Sequence, residues 1–111
     1  MEAKQDVGAK PPQVMIFKIS GVVQNYTMID RVGEFVGHIV FDHKSRSVSS
    51  AIKIMLDDGY VCGYVPAERI GDVLEFTGHK DIYPCKGIIN SKYDLYSEMF
   101  YYWGECIIEK Q

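Results

Sequence analysis

Between Phe41 and Ala51 the chain reads DHKSRSVSS, and its charged and hydroxyl side chains are the types that hold phosphate oxygens. Lys44 and Arg46 would supply charge, and Ser45, Ser47, Ser49 and Ser50 hydrogen bonds; a solvated polar loop has the same composition. A second cluster is aromatic: Tyr93, Tyr96, Phe100, Tyr101, Tyr102 and Trp103 crowd eleven positions. In a strand alternate members face opposite sides, so some of them can form a stacking platform for bases. The competing use puts one side in a barrel interior and the other against a partner or another copy of the chain.

Other chemistry is missing. There is no phosphate-binding loop, dinucleotide fingerprint, zinc-protease helix or hydrolase elbow. His38, His43 and His79 lack the spacing of metal ligands and read as surface or polar-loop histidines. Asp57 and Asp58 have the look of a carboxylate pair, yet a turn accounts for both. Cys62, Cys85 and Cys106 are odd in number, far apart in sequence and set among apolar residues, which fits reduced core thiols rather than disulfides or a metal site. The chain is therefore expected to be non-catalytic, with no cofactor and no metal.

Bulk properties narrow the reading further. The 111 residues suit one domain, and 47% hydrophobic content with 8 Tyr, 5 Phe and 1 Trp excludes wholesale disorder. A net charge of −3 creates no global field toward a phosphate backbone, so any nucleic-acid contact needs a local basic patch. No apolar run approaches the roughly 20 residues of a membrane-crossing helix, and MEAKQDVGAKPPQ has no apolar signal core. A cytoplasmic location away from membranes is expected.

These side chains need a scaffold, and periodicity supplies it. Residues 1–13, with Pro11-Pro12 and few apolar side chains, read as a flexible tail, and 14–110 as a single domain. VMIFKISGVV from Val14 and FVGHIVF at 35–41 read as strands, the glycine of the second marking a bulge or a close backbone approach. NYTMIDRVGE between them shows no period and reads as a loop or one helical turn. Alternating apolar residues flank Asp57-Asp58-Gly59, whose Asp-Gly pair predicts a hairpin turn with positive φ. Pro66 then suits a first helical residue, and the helix should run over 66–76 and stop at Thr77-Gly78. Ile52, Ile54, Val61, Ile70, Val73 and Leu74 are the expected buried set. DIYPCKGIIN and SEMFYYWGECIIEK read as two further strands, with Pro84 at an edge or bulge and Gly104 at a bend. Five or six short strands and one helix predict a mainly-β fold, a small, partly open OB- or SH3-like barrel with the helix after its central hairpin plugging one end.

Four blocks of this text resemble the HIRAN domain, a small β-barrel module found fused to DNA-repair helicase-type ATPases and also alone in bacteria. They are SAIKI at 50–54, DDGYVCGYVPAE at 57–68, CKGII at 85–89 and YYWGE at 101–105. The resemblance implies binding of a single-stranded DNA end through residues near the first strand and in the loop before the SAIKI strand. Asn25-Tyr26-Thr27 resembles the first of these regions, which nominates Tyr26; where the loop carries an acid in the family, this chain has RSVSS. The expectation is a stand-alone nucleic-acid-binding module in which Tyr26 stacks on a base while Lys44 and Arg46 hold phosphates. The alternative is a protein-interaction or homo-oligomerisation module that binds no nucleic acid and associates through the aromatic closing strand.

Overall fold

The computed structural model of the chain describes residues 13–24 and 26–111, with the side chains of Tyr26 and Ser49 outside that description. Apart from Gln13, the expected tail lies outside the described residues too. Six strands follow in order: β1 (Val14–Lys18), β2 (Gly33–Phe41), β3 (Ile52–Leu56), β4 (Val61–Tyr64), β5 (Ile82–Asp94) and β6 (Met99–Glu109). Helix α1 (Ile70–Thr77) stands between β4 and β5, and a 3-10 helix (Tyr26–Arg31) between β1 and β2.

All strands join one antiparallel sheet in the order β1-β6-β5-β2-β3-β4. The sheet curls until its two edges touch: Ser20, just past β1, exchanges both backbone hydrogen bonds with Tyr64 of β4, each at 2.8 Å. The fold is thus the expected mainly-β, partly open barrel. Its interior is built by alternation, with Ile52, Ile54 and Leu56 of β3 facing Tyr83, Cys85 and Ile89 of β5 and Cys106 and Ile108 of β6 across one buried cluster.

Local features follow the sequence closely, with three corrections. In the β3–β4 connection, residues 57–60, Gly59 N–H donates to Leu56 O at 2.8 Å and only Gly59 takes a positive φ, of 90°. Asp58 does not share that conformation; its carboxylate accepts the N–H of Tyr60 at 2.9 Å. In β4, Val61 is half-buried and Cys62 is fully buried, because Ile54 pairs with Gly63 and Met55 with Val61, leaving Cys62 as the extra residue of a bulge. Pro66 lies just outside the helix with ψ 144°, a short 3-10 turn (Ala67–Arg69) intervenes, and Val73 is buried while Ile70 and Leu74 are only half-buried. The stop is as read from the sequence: Gly78 is left-handed at φ 69°, and His79 N–H closes back onto Leu74 O at 2.8 Å. Pro84 sits within β5, and the β5–β6 pairing begins only at Lys86↔Ile107, so the proline lies where β5 has a neighbour on one side.

Candidate functional site

The antiparallel layout gives the barrel two ends with different equipment. At one end is the β3–β4 turn, and the 3-10 helix Tyr26–Arg31 docks beside it: Arg31 Nη2 donates to Asp58 Oδ2 at 3.1 Å, and Thr27 Oγ1 lies 3.0 Å from Tyr60 Oη. At the other end the loop 42–51 links β2 to β3, held by Asp42 N–H donating to Ala51 O at 2.7 Å and by His43 Nε2 at 2.7 Å from Asp81 Oδ1. The five residues of β3 separate these ends by roughly 16 Å of extended chain. The 3-10 segment that starts at Tyr26 lies at the first end, and Lys44 and Arg46 lie at the second. The side chain of Tyr26 lies outside the described residues.

Within the loop, most of the hydroxyls serve the backbone and one another. Ser45 Oγ is 2.7 Å from Ser50 Oγ and donates to Ser47 O at 2.9 Å, while Asp42 Oδ1 accepts the Lys44 N–H at 2.9 Å. The ion pairs among described residues here are Lys53 with Asp42 and His43 with Asp81, and neither Lys44 nor Arg46 takes part. Both cations are exposed.

The aromatic cluster forms a different object. β2 pairs with β5 only as far as Gly33↔Ile89, and β1 pairs with β6 only from Lys18↔Glu105 onward, yet β5 and β6 go on pairing to Asp94↔Met99. The residues 90–103 therefore form a two-stranded arm that runs past the barrel, and for that reason the aromatic side chains do not fill its interior. Tyr102 alone of the six is buried; Tyr96, at the tip, is 100% exposed. On the inner side Tyr93 meets Phe100 edge-on at 5.1 Å, and Phe100 stacks toward Tyr102 at 6.4 Å. Outside, Trp103, Tyr101 and Met99 stand opposite Asn90, Lys92 and Asp94. Ile16, Ile107 and Val36 form a separate cross-strand row with Lys86 on the same face, beyond the row of Lys18, Glu105, Ile88 and Glu34, beside a groove of about 580 Å³ between Val36, Ile88 and Ile107.

Gln24 fixes one edge of the arm. Its side-chain amide accepts the N–H of Tyr102 at 2.9 Å and donates to the carbonyl of Tyr102 at 2.6 Å, standing in for a strand that β6 lacks there. Neither this bracket nor the outer row of Ile16 and Val36 has a signal in the sequence, since both depend on which strands lie side by side. The four-residue tip is held by Asp94, whose carboxylate takes the Ser97 hydroxyl at 2.8 Å and the Ser97 N–H at 3.1 Å. Those bonds, the hydroxyl first, hold the Asp94 carboxyl below its ordinary range. Their contribution to stability is present above the unfolded carboxyl value and lost as pH falls through the lower folded one. Ser97→Ala should move the Asp94 titration midpoint upward toward an ordinary aspartate, read by carboxyl-carbon NMR; an unchanged midpoint would show that the hydroxyl is not the cause.

No family model, curated protein or solved structure matches this chain. Its function must be argued from the surface itself.

The thiols, far apart in sequence, come together in the core. Cys62 and Cys106 have no exposed surface, and Cys85 is buried beside them; all three are free thiols. Burial, helped by the nearby Cys85, pushes the Cys62 thiol up to about 12, and the hydrogen bond from Cys85 followed by burial raises Cys106 as well. Both shifts disfavour the thiolate, the form that acts as nucleophile and metal ligand. Among the described residues no group of three His, Cys, Asp or Glu side chains is placed to hold a metal ion, and no helix is long and apolar enough to cross a membrane.

Proposed function

We propose that this chain is a non-catalytic assembly module that associates with its own kind through the arm 90–103. The observation that carries this reading is the gathering of exposed apolar side chains on one structural feature. Tyr93, Leu95, Tyr96, Met99, Phe100, Tyr101 and Trp103 are all exposed within the arm. Large rigid aromatics with Met are the residues enriched at protein interfaces, and contiguous apolar patches of this kind mark contact surfaces. The net charge of −3 also suits a protein partner better than a polyanion.

Nucleic-acid binding by the HIRAN-like loop is the second reading, and one observation favours it: Lys44 and Arg46 are exposed cations without an ion-pair partner among the described residues. Two such contacts predict weak binding, with log K falling by only about 1.4 for each tenfold rise in salt on a single strand. Sedimentation velocity over a concentration series, with and without a labelled single-stranded oligonucleotide, separates the two. The expected result is a concentration-dependent dimer that Tyr93→Glu with Tyr96→Glu converts to monomer, with no shift of the oligonucleotide. A monomer at all concentrations that binds the oligonucleotide, and loses it when Lys44 and Arg46 are both changed to Ser, would replace this reading with the second.

A further inference from the structure

The self-association just proposed leaves open where two copies join, and the backbone of the arm answers it. Gln24 bonds both the N–H and the C=O of Tyr102, so these groups point away from β5. Tyr102 and its cross-strand partner Ser91 are consequently a pair that exchanges no ladder bonds, and by the alternation of antiparallel ladders the same holds for Tyr93 and Phe100. The backbone groups of Ser91 and Tyr93 therefore face outward along β5, on the side where β2 ended at Gly33↔Ile89. On β6 the equivalent edge is bracketed by Gln24. On β5 no proline and no bulge interrupts 90–94, and no strand among the described residues pairs with that edge.

We infer that two copies join by antiparallel pairing of these β5 edges about a two-fold axis through Tyr93, which sets Lys92 of each copy opposite Asp94 of the other. An isologous contact requires a self-complementary edge, and the K-Y-D order of residues 92–94 is one. With Tyr93 opposite its own copy, the outward-facing backbone groups of Tyr93 exchange hydrogen bonds. Lys92 and the partner's Asp94 then occupy the closer, non-bonded pairing site on the outer face, where opposite charges attract across strands. Moving the axis by one residue in either direction puts Lys92 against Lys92 or Asp94 against Asp94, so charge selects the register. The pairing continues the sheet from one copy into the next, and it brings the tip, with exposed Leu95 and Tyr96, alongside the exposed Val32 that precedes β2. The outer faces with Tyr101 and Trp103 then lie on the same side of one joined sheet.

This register rests on the self-association reading, and a mixing experiment tells the two apart. K92D places a carboxylate of each copy against Asp94 of the other, and D94K places an ammonium group of each copy against Lys92 of the other, so each single variant should weaken the dimer roughly tenfold. Mixed one to one, the two variants should form a heterodimer close to wild-type affinity, since every junction pair is again opposite in sign. As Asp94 also holds the tip, Tyr93→Cys supplies a second measurement: mild oxidation with diamide should link two copies through residue 93, while Tyr96→Cys should not link. A wild-type dimer indifferent to K92D, with no gain on mixing and no link at residue 93, overturns the register and leaves self-association standing. A wild-type chain that stays monomeric overturns both.

Discussion

Gly87→Ala should cost about 3 kcal/mol of stability. A Cβ at this position would lie 2.1 Å from the carbonyl oxygen of Glu105 on β6 and 2.7 Å from the ring of Phe35 on β2. The ring can turn, but the carbonyl is part of the β5–β6 ladder and cannot move without breaking the register that carries both the barrel and the arm. Overpacking usually costs 1–3 kcal/mol, and a clash with backbone belongs at the top of that range, so about 3 kcal/mol is expected. Against a total stability of about 5–15 kcal/mol for a domain, that is a large fraction. Urea denaturation with the slope held against wild type gives the number. Gly71→Ala is the control: nothing lies within 4 Å of its Cβ and it sits in α1, so it should be neutral or stabilising by up to about 1 kcal/mol. Equal effects from both substitutions would mean that helix or strand propensity, and not the close approach of backbones, governs these glycines.

The reason such a glycine is needed separates what was legible in the sequence from what was not. Alternation in SAIKIML and VCGYV and the Asp-Gly turn are local, and they disclosed β3, β4 and their hairpin directly. Gly78 marked the end of α1 for the same reason. The glycine in FVGHIVF reads as a bulge or a close backbone approach, and Gly37 lies against β3, where a Cβ would run into the carbonyl of Met55. The arm was hidden because alternation continues unchanged from Cys106 to Phe100; only the lengths of the neighbouring strands show where the barrel stops and solvent begins. The same non-local information divides the 3-10 segment that starts at Tyr26 from Lys44 and Arg46. Each has plausible chemistry in sequence, but an antiparallel strand pair sends one to the turn end and the others to the loop end. The cluster of three thiols was equally invisible, since their spacing in sequence reports nothing about three strands meeting in one core.

Met28→Ala should cost about 2–5 kcal/mol, as much as truncating a central strand residue, although Met28 lies on no strand and in a segment without hydrophobic period. The side chain has no exposed surface and belongs to the same buried cluster as Ile54 and Ile108. Its helix is one short 3-10 segment, far too brief to be stable by itself, so it must be held by what it inserts and by what pins its end. Arg31 is the pin: Nη1 donates to Thr27 O at 3.1 Å, Nη2 reaches Asp58, and the guanidinium lies 3.8 Å from the centre of the Tyr60 ring. Such a partly exposed ion pair contributes little beside a buried methionine, so Arg31→Ala should cost less than Met28→Ala. One buried side chain in a segment this short creates no repeat, which is why the sequence showed only a loop or a turn there. Denaturant titration of both variants decides the matter. A loss below about 1 kcal/mol for Met28→Ala would mean that the turn end of the barrel closes without its plug, and that the 3-10 helix is positioned by Arg31 and the Thr27–Tyr60 contact instead.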